Sequence, residues 1–282
     1  ITSSAPGDLE RYSRMFKQRF LSAIIWLILI VLIIKYHFVF VLAFMALLVG
    51  GLYEFFSMVE RKGIYIYKYF GMLVGVVIPL SILFQFELTK GWELLFIVLA
   101  LLALFILQLK RKDHSQAVLS ISATLFGILY VSWCFSFLIK IRYLPGGSGY
   151  LAAVILITKA SDIGAYLIGS RFGRHALVPR ISPKKTIEGS IGGLFCSVFA
   201  AMACRNSLGA SYSYSFLILL GLCFGILAEL GDLSESLIKR DCQVKDSGSF
   251  FSGMGGVLDL IDSLLFTAPV FYFYISNRGV VH

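Results

Sequence analysis

The feature that most constrains this chain is a succession of apolar runs, each about as long as a bilayer is thick. Nine can be delimited: 20–36, 38–59, 69–86, 93–109, 117–141, 150–169, 189–205, 214–231 and 257–276, of which 189–205 is the weakest. A helix needs about 20 such residues to cross roughly 30 Å of hydrocarbon. Inside lipid every backbone N–H and C=O must be satisfied by the protein, which leaves helices or closed barrels, and these runs lack the period-two alternation of barrel strands. The expected fold class is therefore all-α: a polytopic membrane protein of about nine transmembrane helices. Composition excludes a soluble domain: 58% of the 282 residues are hydrophobic and 15% charged, against about 45–50% and about 25% in soluble proteins.

The basic residues orient the helices. Of the 25 Lys and Arg, 18 fall before the first run and in alternate loops after it, 6 fall on the other side, and Lys159 lies inside a run. Cytoplasmic loops carry the excess of Lys and Arg, so the N-terminus is expected in the cytosol, in a cytoplasmic (inner) membrane. The net charge of +9 then reads as orientation and attraction to anionic headgroups, with membrane lipids and no nucleic acid as partners. Residues 1–19 read as a cytoplasmic extension, 20–149 as the first five helices, and 150–282 as a catalytic half with cytoplasmic loops 170–188 and 232–256. No A-x-A-like cleavage site follows the first run, so it is expected to be retained. The five cysteines contain no C-x-x-C pair, which suggests neither a zinc site nor a disulfide framework.

Ionisable residues near lipid are costly and usually functional, and they gather in two stretches. In the first, Asp162 stands three residues after Lys159 in an apolar run, a spacing that allows an ion pair. Ser182, Lys184, Lys185 and Thr186 come next, just ahead of a helix opened by Gly189, where free N–H groups and the helix dipole favour phosphate. The plainer reading of those lysines is a juxtamembrane anchor. Glu188 reads as a helix-start cap or lysine partner, and Gly189 with Gly193 as a close helix crossing. In the second stretch, Glu229 and Asp232 share a helix face with Ser236, and Glu235 and Lys239 form an i,i+4 salt bridge. Asp259 and Asp262 stand i,i+3 at the start of the last helix. Two acids on one face repel unless something positive lies between them, and Mg²⁺ is typically held by one or two carboxylates plus substrate phosphates. Lys239, Arg240, Lys245 and Asp246 stand between these acids, trailed by Gly248, Gly253, Gly255 and Gly256. Carboxylates, bases and a glycine-rich turn at the lipid surface describe a site for metal-bound phosphates.

At these residues the chain resembles a known family. The run from Ser236 to Gly248, SLIKRDCQVKDSG, with LDLID at 258–262, resembles the signature of CDP-diacylglycerol synthase (phosphatidate cytidylyltransferase), and SDIGAYLIGSRFG with SPKKTIEGSIGG resembles that family's preceding motif. The likeness covers about the C-terminal half. Two departures stand out: Met254 where the family usually has His in Pro-Gly-His-Gly-Gly, and Leu260 where it usually has Arg in Asp-Arg-x-Asp.

The resemblance implies that phosphatidate and CTP yield CDP-diacylglycerol and pyrophosphate. It implies Mg²⁺ on Asp232, Asp259 and Asp262, with Asp246 as a further ligand or support. Lys239, Arg240 and Lys245 would take the lipid phosphate or pyrophosphate, and Ser182, Lys184, Lys185 and Thr186 the CTP phosphates. Ser236 and Asp162 complete the substrate side, Asp162 as metal ligand or lysine partner. A second, monovalent cation and a homodimer are compatible additions. The competing readings are a related CTP-dependent lipid enzyme, such as an isoprenoid alcohol kinase or ether-lipid cytidylyltransferase, and an ion-coupled transporter built on Lys159 and Asp162.

Overall fold

The computed structural model describes residues 30–86, 92–209, 212–248 and 255–278. The chain divides into two compact units, 1–44 and 45–282. Of the first, the described part is helical apart from Tyr36. The extension 1–19, most of the run 20–36, and the stretch bearing Ser252, Gly253 and Met254 lie outside the described residues.

Each of the other eight runs forms helix. In order these are α1 (His37–Arg61), α2 (Lys68–Leu83), α3 (Trp92–Leu109), α4 (Ala117–Gly127) continuing through a π-helical turn (Ile128–Trp133) into α5 (Cys134–Tyr143), and α6 (Gly147–Phe172). A hairpin of β1 (Ala176–Val178) and β2 (Ser182–Thr186) comes next, then α7 (Ile187–Ala203), the one-turn α8 (Arg205–Leu208), α9 (Tyr214–Asp241) and α10 (Leu258–Arg278). Among the described residues, six stretches are long and apolar enough to cross a membrane: α1, α3, the continuous 117–143 segment, α6, α9 and the 258–276 portion of α10. The chain is an integral membrane protein of all-α character. Helices α2 and α7 have 16 and 17 residues and reach only about 24–26 Å at 1.5 Å per residue.

The apolar side chains turn outward in numbers that water would not tolerate. On α3 alone, Leu94, Leu95, Val98, Leu99, Leu102, Phe105, Ile106 and Leu109 are exposed, a helix face suited to hydrocarbon. One interior carbonyl is satisfied across helices. Pro79 in α2 has no N–H for the carbonyl of Gly75 four residues back, and Ser132 on the π turn donates its Oγ hydrogen to that carbonyl at 2.5 Å.

Two expectations about loops change. Residues 170–188 are not plain loop: β1 and β2 pair antiparallel, Ala176 opposite Thr186 and Val178 opposite Ser182. The pre-proline Val178 favours extended backbone, and Ile181 N–H closes the turn on Val178 O at 3.1 Å. The second expected loop, 232–256, begins ten residues late, because α9 runs to Asp241. Its last turns carry the i,i+4 pair Glu235–Lys239 and a clasp from Lys62 to Asp241 at 2.6 Å.

Helices α6, α7, α9 and α10 bring the ionisable stretches together. Gly189 and Gly193 of α7 lie against α6, as their spacing predicts: a Cβ at Gly193 would stand 3.0 Å from Ser161 O. Gly231 of α9 lies so close to α10 that a Cβ there would collide with the carbonyl of Asp262.

Candidate active site

The C-terminal ends of α6 and α9 and the N-terminal ends of α7 and α10 converge. The short contacts joining them are Gly169 with Gly189, Lys185 with Asp232, Lys239 with Asp259 and Gly231 with Asp262. Two helix N-termini thus present partial positive charge to the same region.

At its centre stand Asp232 and Glu235 of α9 and Asp262 of α10, each with a carboxylate oxygen within 4.8 Å of the others. Glu235 is 1% exposed and Asp262 5% exposed. Lys239 Nζ donates to Glu235 Oε2 at 2.7 Å, but Glu235 Oε1 is buried with no hydrogen-bond partner among the described residues. Among the described residues, Asp262 Oδ1 accepts only its neighbour's backbone N–H, from Ser263 at 2.5 Å.

Lysines compensate part of this charge. Lys239 also reaches Asp259 Oδ1 at 2.5 Å, Lys185 of β2 reaches Asp232 Oδ2 at 3.0 Å, and Lys159 of α6 reaches Asp162 Oδ2 at 2.9 Å and Ser263 Oγ at 3.0 Å. The carboxylates outnumber the lysines that pair with them. A buried, uncompensated carboxylate is strongly destabilising, and an all-oxygen set suits a hard divalent cation. A triad of carboxylates, one of whose oxygens, Glu235 Oε1, has no partner among the described residues, meets that fit.

Beside the triad opens a cleft of about 420 Å³, lined by α6 (Ser161, Asp162, Tyr166), by Lys184, Lys185 and Thr186, by Gly189, Ser190 and Gly193, and by Glu229 and Asp232. Lys184 is exposed and Lys185 half-buried. Thr186 is the N-cap of α7, its Oγ1 accepting from Gly189 N–H at 3.1 Å, whereas Ser182 stands outside the lining. Ser236 Oγ donates to Asp232 Oδ1 at 3.4 Å. Arg240 Nε donates to Ile181 O at 3.1 Å and ties the hairpin to α9. Lys245 and Asp246 are exposed beyond the end of α9.

Asp259 and Asp262, expected as a pair, have different surroundings. Besides Lys239, Asp259 takes Gly256 N–H at 2.7 Å and Ser247 Oγ at 3.0 Å, so it anchors the glycine-rich turn. Among the described residues Glu188 pairs with no lysine: it accepts from the backbone N–H groups of Arg174 and His175 at 3.0 and 3.2 Å and from the His175 ring at 2.6 Å.

Two contributors escape sequence reasoning. Glu235 reads in the sequence only as a salt-bridge partner, although it stands three residues from Asp232. Glu54 of α1, buried at 6% exposure, accepts from Leu258 N–H at 2.9 Å and Ser247 Oγ at 3.0 Å. It therefore caps α10 and ties Ser247 to the start of that helix. Its signal is one acid within the apolar run 38–59.

Comparison with known sequences decides the family. A profile of the cytidylyltransferase family matches residues 17–277. The chain belongs to the cytidylyltransferase family. The match takes in the first helices too, whereas the motif resemblance rests on the C-terminal half alone. A phosphatidate cytidylyltransferase of Synechocystis sp. is 33% identical over 286 residues, covering 92% of this chain and 96% of that one. Those of Bacillus subtilis and Staphylococcus aureus are 38% and 41% identical, over 52% of this chain and 55% of theirs in each case. In those two alignments the chain spans about half the length of the relatives it matches.

Proposed function

We propose that this protein is a phosphatidate cytidylyltransferase. A phosphate oxygen of phosphatidate attacks the α-phosphorus of CTP, the bond from that phosphorus to the β-bridging oxygen breaks, and pyrophosphate leaves as CDP-diacylglycerol forms. The observation that carries the reading is the acidic triad of half-exposed Asp232 with buried Glu235 and Asp262, one oxygen of which has no partner among the described residues, beside a cleft lined by lysines. The names of the relatives support it.

Both substrates are polyanions, so the protein must chiefly position them and neutralise charge. Asp232, Glu235 and Asp262 would hold Mg²⁺, which when bound offsets negative charge on the reacting phosphates. Lys184 and Lys185 at the cleft would take CTP phosphates. Lys239 is held ready by Glu235 and Asp259 for the lipid phosphate or the departing pyrophosphate, with Arg240 and Lys245 close in sequence. Asp259 orients Lys239 and the turn, and Asp246 stays an outlying acid of the same stretch. The lipid phosphate is already ionised, so no side-chain nucleophile or base is required.

CTP is a cytosolic nucleotide, which demands that the site face the cytosol. The 18-to-6 division of basic residues supports that orientation, with about nine crossings, an N-terminus inside and a place in the cytoplasmic membrane. The test is direct: purified protein, phosphatidate, labelled CTP and Mg²⁺. Equimolar CDP-diacylglycerol and pyrophosphate are expected, and chelation of Mg²⁺ should abolish both. Product from an isoprenoid alcohol but not from phosphatidate would overturn the assignment.

A further inference from the structure

We propose that Glu229 reads the base of the nucleotide, its carboxylate accepting a hydrogen bond from the exocyclic amino group of cytosine. This rests on the cytidylyltransferase function proposed for the same site. Three carboxylates line the cleft: Asp162, Glu229 and Asp232. Asp162 is paired with Lys159 and Asp232 with Lys185. Lys185 Nζ donates to the Glu229 backbone carbonyl at 3.4 Å, but the Glu229 carboxylate has no basic partner among the described residues. Ser190 Oγ donates to its Oε1 at 2.5 Å and fixes the side chain, while its second oxygen has no protein partner among the described residues.

An ionised carboxylate only accepts hydrogen bonds, so whatever reaches Glu229 must be a donor. The nucleotide's phosphates are acceptors and anions, and they belong instead with Lys184 and Lys185 on the same cleft. Of the nucleotide's parts, the base remains. Cytosine carries an amino donor at C4 where uracil carries a carbonyl acceptor, so one carboxylate attracts the first and repels the second. Tyr166, 74% exposed and lining the same cleft, offers a ring face on which a base can stack. A cleft of about 420 Å³ lies within the usual range for small-molecule sites.

The test is equilibrium binding of CTP and of UTP to the purified protein, beside the transfer assay, for wild type, Glu229→Gln and Ser190→Ala. Glutamine presents both a donor and an acceptor, so Glu229→Gln should lower the CTP-over-UTP preference about tenfold or more, the size set by a charge-assisted hydrogen bond. Ser190→Ala, which releases the carboxylate, should lower it in the same direction by less. The Mg²⁺ dependence of transfer should stay as in wild type. An undiminished preference in Glu229→Gln overturns the inference, as does equal weakening of both nucleotides with a changed Mg²⁺ requirement. Wild type that binds CTP selectively but transfers nothing overturns the proposed reaction and leaves base reading by Glu229 to stand or fall on the binding ratios.

Discussion

Glu235, grouped with Asp232 and Asp262, has two demands on one carboxylate: Oε2 anchors Lys239, and Oε1 is buried without a partner among the described residues. Glu235→Gln keeps the shape and removes the charge, and so does Asp262→Asn. Either change should lower turnover by orders of magnitude and raise the Mg²⁺ needed for half-maximal rate, while the protein still inserts and purifies as one species. If these acids merely complemented helix dipoles, the loss would be about 0.3–1 kcal/mol of stability, and rates at ordinary Mg²⁺ would persist. Asp259→Asn should behave differently. It disturbs Lys239 and the glycine-rich turn, so the rate should fall with little change in half-saturating Mg²⁺; a rate-against-Mg²⁺ series on both mutants separates them. The i,i+3 spacing of Asp259 and Asp262 is legible in the sequence, but their division of labour is not. Three residues of helix leave two side chains about 60° apart around the axis. Only the placement of α9 decides which of them meets the triad and which meets Lys239.

Elements meet here through missing side chains and missing hydrogens. Gly231 has no room for a Cβ against the Asp262 carbonyl. Gly231→Ala should therefore push α9 from α10, cost about 1–3 kcal/mol as overpacking does, and weaken Mg²⁺ dependence along with thermal stability. A mutant as stable and as active as wild type would mean the two helices separate freely at that crossing. Ser132→Ala leaves the Gly75 carbonyl, already deprived by Pro79, without a donor; about 1–3 kcal/mol should be lost, read as a lower melting temperature with Mg²⁺ dependence intact. Glu54→Gln probes an element end. Loss of the anionic cap on α10 should cost about 0.5–2 kcal/mol, and hydrogen exchange should rise at Leu258 before it rises elsewhere in the helix. Helix positions are readable from the apolar runs, and the crossing at Gly189 and Gly193 from their spacing. The β1–β2 hairpin is not, because β1 is only three apolar residues long and β2, SPKKT, is polar without alternation; it forms where Pro179 and the adjoining helix ends leave the chain extended.

At the scale of the whole molecule, function turns on which side of the bilayer the site faces. Cysteines can be introduced at Arg180, on the hairpin turn, and at Lys245, beyond α9, both exposed positions. In sealed, right-side-out cells both should resist an impermeant thiol reagent and react only after permeabilisation. Labelling of both from outside would overturn the orientation and with it access to cytosolic CTP. Run length and charge, read with no coordinates, determined that this chain is a helical membrane protein and where its ionisable residues gather, because burying a backbone or a charge in lipid is costly enough to leave its mark residue by residue. What only the tertiary structure decided is which acids meet. Asp232 and Glu235 lie 27 or more residues from Asp262 in the chain, and Glu54 lies 204 residues from Leu258. Contacts at such separations depend on how helices cross, and no local pattern encodes the crossing.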